Sequence, residues 1–184
     1  MTCMIDEKKI EDTIAFHGHS CPGLAIGIRA AELALNRLDF TPEANMVCVV
    51  ETDMCGVDGI QYLTGCTFGK GNLIHKDFGK PGFTFYDRDN KKGFRALFQD
   101  SAVDALAPAG GFADRKDRTR AIMAAELEGL FQVADVTVPP VRPARILESM
   151  ICRECGEKVM ESRIRRFAGK DLCIPCFQKY EQKI

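Results

Sequence analysis

The chain is organised around residues 17–38, HGHSCPGLAIGIRAAELALNRL. This stretch opens with three candidate ligand or proton-transfer groups at alternate positions: His17, His19 and Cys21. Alternate residues of an extended segment point to one side, so the spacing predicts that the three side chains converge on one ion or substrate. The alternative is a buried free cysteine beside two histidines that bind no ligand. Because two of the only three histidines in the chain lie in this stretch, their placement favours a site.

Pro22 predicts the start of a helix, because its missing N–H would have no partner at the first helical position. Cys21 then becomes the helix N-cap, where free backbone N–H groups and the positive dipole end favour a thiolate. The helix runs to about Leu38, is apolar on most sides, and lies either in the core or at a subunit interface. Three polar residues form a narrow stripe along it: Arg29, Glu32 and Asn36.

Composition is that of an ordinary soluble globular protein, with 46% hydrophobic and 28% charged residues. A net charge of −1 gives no general attraction to nucleic acid or to membranes. No apolar stretch approaches the roughly 20 residues needed to cross a bilayer. The first residues contain acidic side chains and no apolar segment of a signal peptide, which predicts a cytoplasmic protein without membrane contact.

The remaining pattern predicts an α+β fold, with a mixed or antiparallel sheet packed with the central apolar helix. The predicted hairpin pairs residues 83–86 with 94–98 through a turn at 87–93. The other predicted elements are helices at 5–16, at 59–64 and from a cap at Asp114 or Asp117 to about Phe131, and strands at 46–51 and 133–138. Thr41-Pro42 ends the central helix. A composition change near Glu148 divides the chain into a core domain, 1–148, and a second domain, 149–184.

The second domain contains a strong metal-binding pattern. Two C-x-x-C pairs, Cys152/Cys155 and Cys173/Cys176, are separated by seventeen residues, and four thiolates bind structural Zn²⁺ tetrahedrally. Residues 158–172 alternate as in a hairpin with its turn at 168–170, and Pro175 can start a short helix. Knuckle, hairpin and helix in that order predict a treble-clef-like zinc finger, whose folding depends on the ion because so short a segment buries little apolar surface.

The finger carries a small positive charge. From Ser149 onward there are eight Lys or Arg and five acidic residues, an excess of three. Arg163, Arg165 and Arg166 beside Phe167 are candidates for contact with nucleic acid or an acidic protein partner. A solvated hairpin face is the alternative, and so small an excess favours it.

The core resembles one family, the E subunit of formylmethanofuran dehydrogenase. The similarity lies in HGHSCPGLAIGIRAAELAL (17–35), ETDMCGVDGIQ (51–61), and LTGCTFGKGNL (63–73) followed by DFGKPGFTFYDR (77–88). The resemblance implies an α+β core that forms an intertwined homodimer, with the finger as an appendage. It also implies an accessory association with a molybdenum or tungsten formylmethanofuran dehydrogenase in the one-carbon metabolism of methanogenesis, without a catalytic pterin site in this chain.

The resemblance also aligns Cys55 with a cysteine of the family. With His17, His19 and Cys21 it would complete a mixed nitrogen and sulfur shell suited to Zn²⁺ or another transition metal, and a buried structural thiol is the alternative. Four further residues are open candidates for this core site: Asp53, Asp58, Cys66 and His75. Asp53 and Asp58 flank Cys55 and could orient a histidine, act as a base, or simply cap turns.

Residues 64–72, TGCTFGKGN, do not match a Walker phosphate loop, because three rather than four residues separate the first glycine from Gly-Lys. Lys70, with the backbone N–H groups of Gly69 and Gly71, is nevertheless a candidate anion or cofactor contact. A tight turn is the alternative role of the glycines.

Two functions follow from these patterns. In the first, a core metal with an open coordination position serves an accessory or enzymatic role, or His19 acts as base to a catalytic Cys21. In the second, the core metal is sensed, and its occupancy is passed to a zinc finger that contacts protein or nucleic acid. Three protein ligands with an open position favour the first function, and four protein ligands favour the second.

Overall fold

The structure, a computed structural model, describes residues 3–38, 45–140 and 146–180, and the predicted helix end at Thr41-Pro42 lies outside them. The chain divides into two compact units, residues 1–143 and 144–184. The first unit contains five α-helices and five strands in its described part. They are α1 (Glu7–His17), α2 (Pro22–Leu38), β1 (Met46–Val50), α3 (Gly56–Thr64), β2 (Leu73–His75), β3 (Gly82–Asp87), β4 (Lys92–Phe98), α4 (Asp100–Asp104), α5 (Arg115–Ala124) and β5 (Phe131–Val136).

The strands form one mixed sheet in the order β2-β1-β3-β4-β5. β1 and β2 are parallel, and every other neighbouring pair is antiparallel. The predicted hairpin is confirmed as β3 and β4, whose turn is fixed by the Asp87 carboxylate, since it accepts hydrogen bonds from the N–H groups of Asp89 and Asn90. The predicted α+β class and mixed sheet are therefore confirmed.

Helix α2 is the central helix of this unit, with the predicted bounds. It packs against α3, α5 and the strands β3 and β4, so its apolar sides are covered within one chain. Its polar stripe is largely internal, because Arg29 and Glu32 are buried and form an ion pair of 2.8 Å. Arg29 also donates to the Ala125 carbonyl at the end of α5, and Glu32 accepts from the Met4 N–H. The pair thus attaches two other segments to α2.

Helices α2 and α3 touch backbone to backbone. A Cβ added at Gly27 would lie 2.0 Å from the Gly56 carbonyl oxygen, and one added at Gly59 would lie 3.1 Å from the Ile28 nitrogen. A Cβ at Gly56 would likewise lie 3.0 Å from the Gly23 oxygen. Only glycine permits so close an approach. The contact sets the residues that precede the two helices, Cys21 and Cys55, side by side.

The predicted helix from Asp114 to Phe131 was wrong in its last turns. Asp114 is the N-cap, but α5 ends at Ala124 and a short 3₁₀ turn, Glu128–Leu130, leads into β5. Phe131 pairs with Phe98 across the sheet, and the Gln99 N–H donates to the Leu130 carbonyl. Leu130 and Phe131 are buried, and hydrogen bonds to a strand distant in sequence determine their conformation.

The second unit contains β6 (Ser149–Ile151), β7 (Lys158–Met160), β8 (Ile164–Phe167), β9 (Lys170–Cys173) and α6 (Ile174–Gln178). The single hairpin predicted over 158–172 was wrong, because β7 pairs backward with β6 across the first cysteine knuckle. Only β8 and β9 form a hairpin between the knuckles, with Ala168 and Gly169 in left-handed conformations at its turn. No helix in the described ranges is both long and apolar enough to cross a membrane.

The glycine contact yields a stability prediction. We expect Gly27→Ala to lower the free energy of unfolding by about 1–3 kcal/mol, because its methyl group would collide with backbone that cannot rotate away. Urea unfolding measures the effect. The control is Gly69→Ala, where nothing lies within 4 Å of the added carbon, with an expected change within about 0.5 kcal/mol. Equal stability of the two variants would contradict the close contact.

Candidate metal centres

The core unit brings together four side chains that the sequence singled out. The donor atoms of His17, His19, Cys21 and Cys55 all lie within 4.8 Å of one another. The Cys21 sulfur and the His17 Nε2 atom are 4.0 Å apart. Donors about 2.0–2.3 Å from a tetrahedral ion lie roughly 3.3–3.8 Å from one another, so a small contraction of this cluster would accommodate one.

The prediction that an extended segment brings the side chains of His17, His19 and Cys21 together was wrong. His17 is the last residue of α1, and Gly18 takes the left-handed conformation of a helix C-cap, with φ +91°. Its N–H donates to the Ile14 carbonyl at 2.8 Å. This turn places the His19 ring 4.5 Å from the His17 ring, measured between centroids. A helix end and one glycine, rather than strand alternation, direct the histidines to the same place.

The two cysteines precede the two helices that touch. Cys21 is buried directly before α2, and the Leu24 N–H donates to its sulfur at 3.4 Å, as predicted for an N-cap residue. Cys55 is half-buried directly before α3. Gly23 leaves room for both thiols, since a Cβ there would lie 3.2 Å from the Cys55 Cβ and 4.0 Å from the Cys21 sulfur.

Burial raises the pKa of the Cys55 thiol above its ordinary value, and the neighbouring Cys21 side chain raises that pKa further. Two adjacent thiols resist becoming two thiolates, because the second negative charge is repelled by the first. A cation between them would remove that repulsion.

Asp58 is the one open candidate that contacts the cluster. Its Oδ2 lies 2.7 Å from His17 Nδ1, and its Oδ1 accepts a hydrogen bond from Gln61 Nε2 at 3.3 Å. With Nδ1 engaged, His17 presents Nε2 to the cluster, the arrangement by which carboxylates orient metal-binding histidines. The contact between Gln61 and Asp58 was not predicted from the sequence. The predicted helix began at Gly59, so Asp58 lay outside it and was not expected to pair with a residue three positions later.

The other open candidates lie elsewhere. Cys66 is fully buried in the core, its sulfur directed to the Met46 carbonyl at 3.8 Å. His75 is exposed on β2, and Asp53 is exposed in the loop before α3. None of the three belongs to the metal-ligand cluster of the described residues.

Lys70 lies at the far end of α3 from Cys55, about 14 Å along a helix of this length. Its ammonium donates to the Gly65 carbonyl, the C-cap of α3, at 3.0 Å. The Thr67 N–H donates to the Asn72 side chain, which closes the glycine-containing turn. The structure therefore does not bring Lys70 to the core cluster, and its role as an anion contact stays a prediction.

The second cluster lies in the finger unit, where the sulfurs of Cys152, Cys155, Cys173 and Cys176 are within 4.8 Å of one another. Cys155 and Cys173 are 3.9 Å apart, and sulfurs bound tetrahedrally to zinc lie about 3.8 Å apart. Backbone N–H groups of Cys155 and Cys173 lower the pKa of Cys152 to about 6, which favours the thiolate that zinc binds. The Cys173 side chain is the main cause that raises the pKa of Cys176 to about 12.

The finger also carries exposed cationic and aromatic side chains. Arg163, Arg165 and Arg166 are exposed, and Arg166 lies 4.0 Å from the Asp171 carboxylate. Phe167 stacks on Tyr180 with ring centroids 5.9 Å apart and meets the edge of Phe177 at 5.8 Å. The three arginines are therefore accessible from solvent beside a small aromatic cluster.

Comparison with known proteins identifies both units. A family model described as FmdE, Molybdenum formylmethanofuran dehydrogenase operon, matches residues 16–133, which contain the core cluster. The model of the prokaryotic dksA/traR C4-type zinc finger matches residues 145–182. The resemblance drawn from the sequence and the Cys₄ zinc finger are both confirmed.

Two individual proteins are similar to the chain. A protein of Archaeoglobus fulgidus, named a probable S-adenosyl-L-methionine-binding protein, is 31% identical over 191 residues. That match covers 90% of this chain and 51% of the relative, so the chain spans about half the length of the relative. The crystal structure of a tungsten formylmethanofuran dehydrogenase FmdE-like protein from Syntrophus aciditrophicus has a TM-score of 0.69 at 22% identity, covering 97% of this chain and 94% of that one. At this identity the structural likeness shows a common fold.

The finger site predicts that Cys173→Ser loses one zinc ion per chain, because the remaining thiolates hold the ion too weakly to fold the unit. Residues after Glu148 should become sensitive to protease while the core unit stays intact. Metal analysis and limited proteolysis measure the two effects. Cys3→Ser, outside both clusters, is the control and should keep its metal. An unchanged zinc content in Cys173→Ser would exclude the four-thiolate assignment.

Proposed function

The chain belongs to the FmdE family, and from this premise we propose that its core binds a transition-metal ion through His17, His19, Cys21 and Cys55. The observation that carries the proposal is the convergence of four donor atoms within 4.8 Å. They come from the end of one helix, the link that follows it, and the residues before two further helices. The support of His17 by Asp58 adds to this argument, because a histidine that only filled space would need no carboxylate at 2.7 Å.

Two imidazoles and two thiolates form a donor set suited to zinc and to other soft or borderline divalent ions. We propose zinc as the first candidate, because two nitrogen and two sulfur ligands are a common tetrahedral shell for it. If one of the four ligands yielded its position, such an ion would supply Lewis acidity toward a small ligand. Cys21 and His19, assigned a catalytic role from the sequence, would then act as ligands, with His19 as base to Cys21 retained as the alternative.

Metal analysis tests the proposal directly. Protein purified without added metal should contain two metal ions per chain, and Cys21→Ala should contain one, because loss of a buried thiolate removes both a donor and the charge that balances the ion. Cys3→Ala serves as the control and should retain both ions. A wild-type protein that contains only the ion removed by Cys173→Ser would contradict the proposal.

We further propose an accessory role in one-carbon metabolism, beside a molybdenum or tungsten formylmethanofuran dehydrogenase, as in methanogenesis. The description of the matching family supports this role. The proposed role assigns no catalytic pterin to this chain.

A second candidate function is regulatory, with the finger binding a protein or nucleic-acid partner. The match of residues 145–182 to a dksA/traR-type finger and the exposed arginines of β8 favour it. A third candidate, binding of S-adenosyl-L-methionine, is favoured by the relative named for that ligand, of which the chain spans about half.

We also propose that the protein is a homodimer. The apolar surface of α2 does not support this proposal, since its own chain covers it. Support comes instead from the family resemblance and from exposed apolar side chains beside the core cluster, where Phe16 and Tyr62 pack ring to ring at 5.6 Å and Met54 is 65% exposed.

Light scattering at micromolar concentration should therefore give roughly twice the chain mass. Phe16→Ser together with Tyr62→Ser should shift the protein toward the monomer, because the substitutions remove apolar surface that the dimer interface would bury. Phe78→Ser, at another exposed aromatic residue, is the matched control. A wild-type monomer across that concentration range would exclude the dimer.

A further inference from the structure

We propose that the four core ligands are not equivalent: His17, Cys21 and Cys55 form a fixed platform, while His19 is an exchangeable ligand that yields to a small molecule with a neutral nitrogen donor. This inference rests on the proposed function, because it concerns the same ion. It places an open coordination position at the solvent-facing side of the site, the feature that separates a reactive centre from a closed structural one.

His17 is fixed from two sides. Its side chain is only 10% exposed, and its Nδ1 atom lies 2.7 Å from the Asp58 carboxylate, which in turn accepts from Gln61. Rotation of the imidazole away from the cluster would break this chain of polar contacts and leave the carboxylate without its histidine. His17 therefore keeps its Nε2 atom at the site.

The two thiols are fixed by the helices that follow them. Cys21 is 5% exposed and receives the Leu24 N–H on its sulfur. Cys55 directly precedes α3, whose backbone touches that of α2 at Gly27 and Gly56. The backbone positions of both cysteines are therefore held by helices that are packed without space between them.

His19 has no comparable support. It is exposed, and within the described residues neither ring nitrogen makes a hydrogen bond, while the ring itself lies tilted against that of His17. The residue before it, Gly18, has φ +91° and nothing within 4 Å of the position where a Cβ would lie. Ser20, which follows, is also exposed. The His19 side chain can therefore turn into solvent at little cost.

Charge selects the incoming ligand. Two thiolates already balance a divalent cation, and the Asp58 carboxylate beside His17 adds a further negative charge. An anion arriving at this position would be repelled, whereas a neutral nitrogen donor replaces the neutral imidazole without a change of charge. In the exchange one metal–nitrogen bond breaks and another forms, and no proton or electron is transferred.

The experiment uses the full chain loaded with Co²⁺, whose visible absorption reports its ligands, and imidazole as the probe. His19→Ala should retain two metal ions per chain, release its core ion to a chelator roughly ten- to a hundredfold faster than wild type, and show an altered core spectrum. Added imidazole should restore the wild-type spectrum and slow the release. The Co²⁺ ion in the finger absorbs equally in both proteins, so its absorption cancels in the difference between their spectra. His75→Ala, the histidine outside the cluster, should behave as wild type throughout.

For His17→Ala we expect the opposite result. This variant should lose its core ion during dialysis without imidazole. The inference is overturned if His19→Ala loses the core ion as completely as His17→Ala, since His19 would then be a permanent ligand. It is also overturned if imidazole leaves the spectrum and the release rate of His19→Ala unchanged. A wild-type chain that binds only the ion of the finger overturns the proposed function itself, which distinguishes the two failures.

Discussion

Two helices that touch at their backbones hold this protein's core site together. A side chain at Gly27 would occupy the space of the Gly56 carbonyl, and Gly59 approaches Ile28 nearly as closely. At ordinary interaxial distances of 8–10 Å, side chains separate helices, and the residues ahead of them would be separated as well. Here the contact brings Cys21 and Cys55 within reach of one ion. Close packing of this kind resists adjustment, because backbone atoms cannot change rotamer.

Helix α2 contacts the candidate metal site on one side and the main apolar core on the other. Leu33 and Ala34 of α2 belong to the main apolar cluster with the sheet, whereas Cys21, Leu24 and Ile28 pack with the first helix. The buried pair of Arg29 and Glu32 attaches the N-terminal segment and the end of α5 to it. Removing one member of such a pair would leave an uncompensated charge, so α2 is held in one position by polar as well as apolar contacts.

The two metal clusters depend on their surroundings in opposite ways. The finger has a small apolar cluster, made largely of its own ligands with Leu172, Val159 and Phe177, so its folding needs the ion. The core unit has a five-stranded sheet and a larger apolar cluster, so we expect it to fold without a metal. An ion bound at the proposed core site would therefore be available for chemistry, because the fold would not require all of its ligands at all times.

Features that depend on neighbours along the chain could be predicted from the sequence. The start of α2 at Pro22, the β3–β4 hairpin and the spacing of the finger cysteines follow from residues a few positions apart, and the structure has each of them. The candidate ligands His17, His19 and Cys21 were recognisable for the same reason. The remaining features depend on contacts between segments that are distant in sequence. Leu130 and Phe131 are not part of an α-helix, because strand β4 supplies hydrogen-bond partners to this segment. Strand β7 pairs with β6, and Asp58 contacts His17, which is 41 positions away in the sequence. Such contacts depend on which segments pack together, and local propensity carries no information about a partner so far away along the chain.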